Sequence, residues 1–154
     1  MRLSVDVHNF LQNKEIQHEI FLASEPVKTA ERASAILGLK PAEIAKSIIL
    51  SIDGKPVNAV IPGNRNVSMT KIKTLFSDSI IRMADSRLAV DSTGYMIGST
   101  PPVAHHGELR TIIDVRLMKN GVLYTAGGEP NAVLKIRPED LKKATSALEA
   151  DISE

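Results

Sequence analysis

Two apolar, β-branched runs, Lys46 to Ile52 and Pro56 to Ile61, face each other across Asp53-Gly54. That dipeptide signals a tight hairpin, because both of its residues accept positive φ at low cost. The returning run stops at Pro62-Gly63. A second set repeats the pattern, with Thr111 to Leu117 as one strand, Asn120-Gly121 as the turn and Val122 to Thr125 as the return. Two hairpins in a chain of 154 residues favour a largely antiparallel or mixed sheet over a doubly wound parallel one. Further strands are predicted over His18 to Leu22, Ser79 to Met83 and Ala132 to Ile136.

Helical patterns fill the gaps between these strands. Val5, Val7, Phe10 and Leu11 suit one face of a short helix ending near Asn13. Val27 to Leu37 carries Ala30, Ala33, Ile36 and Leu37 at helical spacing, and Gly38 is a natural stop. Pro41 to Ala45 fits a short helical turn. Ser68 is a cap for a helix carrying Met69, Ile72, Leu75 and Phe76. Asp85 to Thr93 reads as a helix closed by Gly94, and Tyr95 to Thr100 leads into Pro101-Pro102, which cannot continue it. Pro138 opens a last helix, with Glu139 and Asp140 in the first turn where the dipole favours acids. No repeat or linker interrupts the chain. The expectation is a single compact domain over residues 1–154, of mixed α/β (α+β) class.

Composition narrows the function. There is no Trp, and only 2 Tyr and 3 Phe, so the core must be aliphatic. The same scarcity argues against a sheet platform that stacks bases. A net charge of +1 gives no bulk attraction to nucleic acid, so any RNA contact is local, such as a strand end. The lack of Cys removes a thiol nucleophile, a disulfide framework and a thiolate metal site. No apolar run approaches the roughly 20 residues of a membrane span, and the start Met1-Arg2-Leu3-Ser4 opens no long apolar stretch. A cytoplasmic protein with no membrane partner is expected.

Four features offer chemistry. Lys46 stands at the mouth of a core strand, where an ammonium is either simply exposed or held rigidly for binding a carbonyl oxygen or phosphate. Gly127-Gly128 follows a strand; it serves a tight turn, or opens backbone amides to a ligand. Gly94 to Val103 combines Gly and Pro with Met96 and Ile97, as a structured connection or a pocket wall. His105 and His106 are adjacent, so on an extended segment they point apart and do not chelate one metal. His8 and His18 have no ligand spacing either, and no metal or other cofactor is expected. No Gly-x-Ser-x-Gly elbow and no Gly-Lys-Ser/Thr phosphate loop occurs.

In order and spacing these landmarks resemble the YbaK/ProX family of aminoacyl-tRNA deacylases, which also occurs as an inserted editing domain in some bacterial prolyl-tRNA synthetases. The resemblance runs from about His18 to Leu141. It rests on Ile44-Ala45-Lys46-Ser47-Ile48-Ile49-Leu50, Ser92-Thr93-Gly94-Tyr95-Met96-Ile97-Gly98-Ser99, Pro101-Pro102, Thr111-Ile112-Ile113-Asp114 and Gly127-Gly128. It implies a largely antiparallel, barrel-like sheet flanked by helices. It makes Lys46 the essential residue, puts Gly127 and Gly128 near the ester and terminal ribose, and makes Tyr95, Gly98, Ser99 and Pro102, with Ser47, the substrate-binding set. The implied activity is hydrolysis of the ester of a mischarged tRNA carrying a small amino acid, with tRNA for proline as a candidate acceptor. The implied partners are the 3′ end of an aminoacyl-tRNA and a synthetase. Five positions depart from the family pattern. Ala104 stands where members often have Gly, Ala126 where many have Ser, and Pro130, Asn131 and Val133 where many have Arg-Gly and then Asp. The losses of Ser and Asp leave open a module that binds an aminoacyl-tRNA end without cleaving it.

Overall fold

The computed structural model describes residues 1–154. Its first half contains α1 (Ser4–Asn13), β1 (Glu19–Leu22), α2 (Ala30–Leu37), β2 (Ala45–Ile52), β3 (Lys55–Pro62), α3 (Met69–Leu75) and β4 (Ile81–Met83). Its second half contains α4 (Ser86–Thr93), β5 (Arg110–Asp114), β6 (Leu123–Ala126), β7 (Ala132–Ile136), α5 (Pro138–Thr145) and β8 (Leu148–Ala150). Short 3₁₀ turns cover Pro41–Glu43 and Val115–Lys119.

The first hairpin forms as the sequence demands. Asp53 and Gly54 both take positive φ, 52° and 81°, and β2 pairs with β3 from Ala45↔Pro62 to Ile52↔Lys55. The predicted cap at Ser68 forms, and Thr29 and Asp85 act in the same way. The side chains of Thr29, Ser68 and Asp85 accept hydrogen bonds from the amides of Arg32, Lys71 and Leu88 in the first turns of α2, α3 and α4. Thr29 therefore delays α2 to Ala30, three residues later than the spacing suggests. Gly38 and Gly94 close α2 and α4 in the left-handed conformation.

The second predicted hairpin does not form. The strand starting at Arg110 stops at Asp114, whose carboxylate accepts the Arg116 amide at 2.9 Å and turns the chain into the 3₁₀ segment. Asn120 is extended (φ −79°, ψ 148°), and its side chain is bonded to the Ala42 carbonyl at 2.9 Å. β5 instead lies parallel to β3 and to β8, a strand not among those predicted. β6 pairs antiparallel with β7, around the turn that holds Gly127-Gly128.

The result is a mixed α/β fold with two sheets, ordered β4-β2-β3-β5-β8 and β1-β7-β6. Four of the six strand pairings are antiparallel. The sheets touch through a parallel bridge between Ile44 and Tyr124 and do not close into a barrel. The larger sheet is buried on both faces, which explains its near-continuous apolar strands. One face packs Leu50, Ala59, Ile61 and Ile112 against Ile72 of α3. The other packs Ala45, Val60 and Ile113 against α1, α5 and the small sheet. From α1, Val7 and Leu11 enter this core, whereas Val5, expected beside them, is 56% exposed. No helix is long and apolar enough to cross a membrane.

Asp114 ties the end of the chain to this framework. Its side chain is fully buried, and it accepts the Ser153 hydroxyl at 2.8 Å and the Ile152 amide at 3.1 Å. Burial alone would raise its pKa, but these donors, the Arg116 amide and the Arg116 guanidinium together lower it. We expect Asp114→Ala to cost about 3 kcal/mol in urea unfolding, because several charge-assisted bonds are lost at once. The sign of the pH effect follows from the lowered value. The Asp114 contribution is complete above the unfolded carboxyl pKa of about 3.9 and fades as pH falls towards the folded value. The variant should lose that part of the acid dependence.

Candidate functional site

β2 is paired along one edge by β3 over its whole length. On its other edge, β4 covers only Leu50 to Ile52. The rest of that edge faces a gap between β4 and β6, and the gap is a cavity of about 450 Å³. Lys46, Ser47, Ile48 and Ile49 all border it, from both faces of the strand, because the strand edge itself is the wall. Met83 and Ala84 close one end, and Tyr124, Thr125 and Ala126 the other. Val133, the cross-strand partner of Ala126, sits behind them. The segment Val27–Ala33, with α2, forms the far wall.

Lys46 is half-buried at this edge. Its ammonium contacts the Gly63 carbonyl at 3.4 Å and takes part in no ion pair. Gly63 is glycine for a packing reason. A Cβ there would lie 2.8 Å from the Ala30 Cβ and 3.0 Å from the Pro41 carbonyl. Its bareness lets α2 close over the strand end that carries Lys46.

Two hydroxyls on the cavity wall have no partner. Ser47 Oγ and Thr125 Oγ1 are shielded from solvent and form no hydrogen bond. No base is bonded to either, so neither is set up as a nucleophile. Thr125 escaped the sequence reading. So did Lys28, Thr29 and Glu31, which line the cavity from the start of α2. Neither group carries a local signal, because the tertiary fold alone brings them to Lys46.

The segment after α4 divides its roles. Gly98 borders the cavity with φ +85°, and a Cβ there would meet Lys28 at 3.2 Å. Ser99 is buried between two lining residues, with its hydroxyl unpartnered, but does not itself line the cavity. Pro102 faces a separate, more polar cavity of about 600 Å³, and its carbonyl accepts the Asn58 amide at 3.2 Å. Tyr95 is a core residue, not a lining one. It is 1% exposed, burial pushes its pKa up to about 12, and its hydroxyl donates to the Ala104 carbonyl at 2.9 Å. Ala104 holds φ +63°, a conformation that favours glycine and costs a residue with a Cβ about 1–2 kcal/mol. The two histidines differ in their surroundings. His106 is exposed, while His105 is half-buried and bonded to the Pro101 carbonyl at 2.8 Å. Burial lowers the His105 pKa.

Gly127 and Gly128 lie next to the cavity, one and two residues beyond Ala126, but do not line it. The Gly127 amide already donates to the Ala132 carbonyl at 2.9 Å, so it is not available to an ester. The Gly128 amide has no partner. Both glycines are required by close packing. A Cβ on Gly127 would lie 2.9 Å from the backbone of Ala132, and one on Gly128 would lie 3.1 Å from Leu3 and from Tyr95. The following Glu129 accepts the Ser4 amide at 2.8 Å and the Ser4 hydroxyl, which clamps the turn to α1 and lowers the Glu129 pKa.

Residues 24–144 match the family model described as an aminoacyl-tRNA editing domain. The proline–tRNA ligase of Desulfotalea psychrophila is 28% identical over 125 residues, covering 80% of this chain and 22% of the ligase. That of Bacillus licheniformis is 33% identical over 109 residues, 70% of this chain and 18% of the ligase. The chain thus spans about a fifth of the length of these relatives. The crystal structure of a hypothetical protein superposes with a TM-score of 0.92 at 31% identity, covering 97% of this chain and 99% of the other. A candidate trans-editing enzyme for prolyl tRNA synthetase shares the fold with a TM-score of 0.90 at 24% identity, over 98% and 96% of the two chains.

The close approach at the double glycine is testable. Gly127→Ala drives a Cβ into backbone, not into a movable side chain, so the β6–β7 turn must open. We expect a loss of about 1–3 kcal/mol in urea unfolding. Unchanged stability would show that the turn has room.

Proposed function

The chain belongs to the aminoacyl-tRNA editing domain family, and from that premise we propose that it hydrolyses the ester of a mischarged aminoacyl-tRNA, acting in trans. A water oxygen attacks the acyl carbon, and negative charge builds on the carbonyl oxygen. The bond from the acyl carbon to the ribose oxygen then breaks. The ribose oxygen takes up a proton, and a free amino acid leaves an intact tRNA 3′ end. Water is the nucleophile because the chain has no Cys and its cavity hydroxyls have no base.

The observation that carries this reading is the unpaired Lys46 ammonium on the wall of a mainly apolar cavity. A fixed cation there stabilises an oxyanion more strongly than it would in water, and its strand holds it without reorganisation. Of the two glycines, only Gly128 keeps a free amide, so Gly127 contributes shape and not a hydrogen bond. Lys28, at the far wall, adds a second positive charge suited to the terminal phosphate.

The apolar walls favour a small acyl side chain by steric exclusion, with about 1–3 kcal/mol at stake per methylene. The matched ligases point to tRNA for proline as the acceptor, and to a prolyl-tRNA synthetase as the protein that makes the mischarged substrate. A second reading keeps support from Ala126 and Val133, which present methyl groups to the cavity where a hydrolase would gain from polar ones. On that reading the chain binds the aminoacyl end and protects the ester.

Purified chain mixed with a panel of mischarged tRNAs should shorten the lifetime of at least one ester relative to buffer. Lys46→Ala should lower the rate about 100-fold or more, the effect of deleting one oxyanion-stabilising group. A longer ester lifetime would establish the binding module instead. A Lys46→Ala variant at full rate would remove Lys46 from the chemistry.

A further inference from the structure

The cavity wall is mainly aliphatic, yet Ser47 and Thr125 bring unpartnered hydroxyls to it. They arrive from the two strands that meet at the Ile44–Tyr124 bridge, three residues beyond Ile44 and one beyond Tyr124. Thr125 is only 4% exposed. A buried hydroxyl without a partner costs about 1–3 kcal/mol, and folded proteins keep few of them. The other two unpartnered side-chain atoms, Asn58 Oδ1 and Ser99 Oγ, belong to residues that do not line this cavity. The polar gap in the cavity is therefore specific to Ser47 and Thr125.

Each of these hydroxyls can donate one hydrogen bond and accept others. The methyl side chain of an alanyl ester would dry both and satisfy neither. A side-chain hydroxyl on the acyl group could bond to one or both while filling the same space. We infer that Ser47 and Thr125 are specificity-determining residues, and that the preferred acyl group bears a side-chain hydroxyl, as in seryl or threonyl esters. This rests on the editing reading of the same cavity. Lys46 acts on the ester carbonyl, which every aminoacyl group shares, whereas the hydroxyl pair meets the part that differs. A site built to bond a substrate hydroxyl discriminates against the analogue lacking it far more strongly than an apolar pocket discriminates by size.

The test compares seryl, threonyl and alanyl esters on one tRNA, using the intact chain, Ser47→Ala, Thr125→Val and Thr125→Ser. Valine keeps the shape and β-branching of threonine without the hydroxyl, and serine keeps the hydroxyl without the methyl. In the unaltered chain, kcat/KM for a seryl or threonyl ester should exceed that for the alanyl ester by at least about tenfold. Thr125→Val and Ser47→Ala should each bring that ratio towards unity, and Thr125→Ser should keep it. An unaltered chain that cleaves alanyl ester equally fast or faster overturns the inference, as does a ratio that survives both hydroxyl deletions. If a variant does not fold, the ratio in the unaltered chain still decides. Cleavage of no ester at all would be a different failure, that of the editing reading itself.

Discussion

The uncovered stretch of the β2 edge is the constraint on which the site depends. A strand edge normally has to be paired or blunted, since it carries unsatisfied backbone groups. Here β4 covers only three residues of it, and β6 meets the chain just before its other end, at Ile44. The space between those two contacts is the cavity. Had β4 been longer, or had the two sheets joined along more than one bridge, Lys46 and Ser47 would be locked into a continuous sheet with no room for a ligand beside them. The failure of the sheets to close into a barrel and the existence of the site are one structural fact.

Holding such a gap open requires a stiff surround, and the chain builds one without large aromatic side chains. The larger sheet is packed on both faces, so β2 cannot tilt into the gap. Close backbone approaches finish the work. Gly63 admits α2 against the end of β3, and Gly127 lets the β6–β7 turn fold onto Ala132. The buried Asp114 carboxylate anchors the C-terminal residues beside β5, two strands away from β2. The strained Ala104 is an apparent exception. Its left-handed backbone presents one carbonyl to both the Tyr95 hydroxyl and the Arg2 guanidinium, and those bonds offset the strain.

Local chemistry made much of this fold legible. Asp53-Gly54, the cap at Ser68 and the stops at Gly38 and Gly94 act through neighbours in sequence, and they appear as expected. Asn120-Gly121 has the same local signature as a hairpin turn, but Asn120 is drawn into a bond with Ala42 and Asp114 has already ended the strand. There a tertiary contact outweighs turn propensity. β8 is three residues long and follows a helix directly, so the apolar/polar alternation of Leu148-Glu149-Ala150 is too brief to mark a strand by itself. At the site, the strand-mouth position of Lys46 left its exposed and its binding readings both open, and the family resemblance favoured the second, because a lysine at a strand mouth is ordinary. Thr125 and the Lys28–Glu31 stretch belong to segments remote from Lys46 in sequence. The double glycine was legible as a turn, and its packing against Ala132, Leu3 and Tyr95 supports the plainer of its two readings.

The elements around the cavity differ in how firmly they are held, and that difference bears on how it can recognise a ligand. Lys46, Ser47 and Thr125 ride on strands, where geometry is held closely enough for directed bonds. The opposite wall is a short helix with an exposed approach segment, which would ordinarily be free to shift. The loop after α4 stands close to it, since a Cβ on Gly98 would lie only 3.2 to 3.3 Å from the Lys28 side chain and backbone. A side chain at position 98 would press on Lys28, and none of the strand-borne groups is among the atoms nearest to it. Room for the acyl group and chemistry on its ester are thus controlled by separate parts of the chain, so one can change without rebuilding the other.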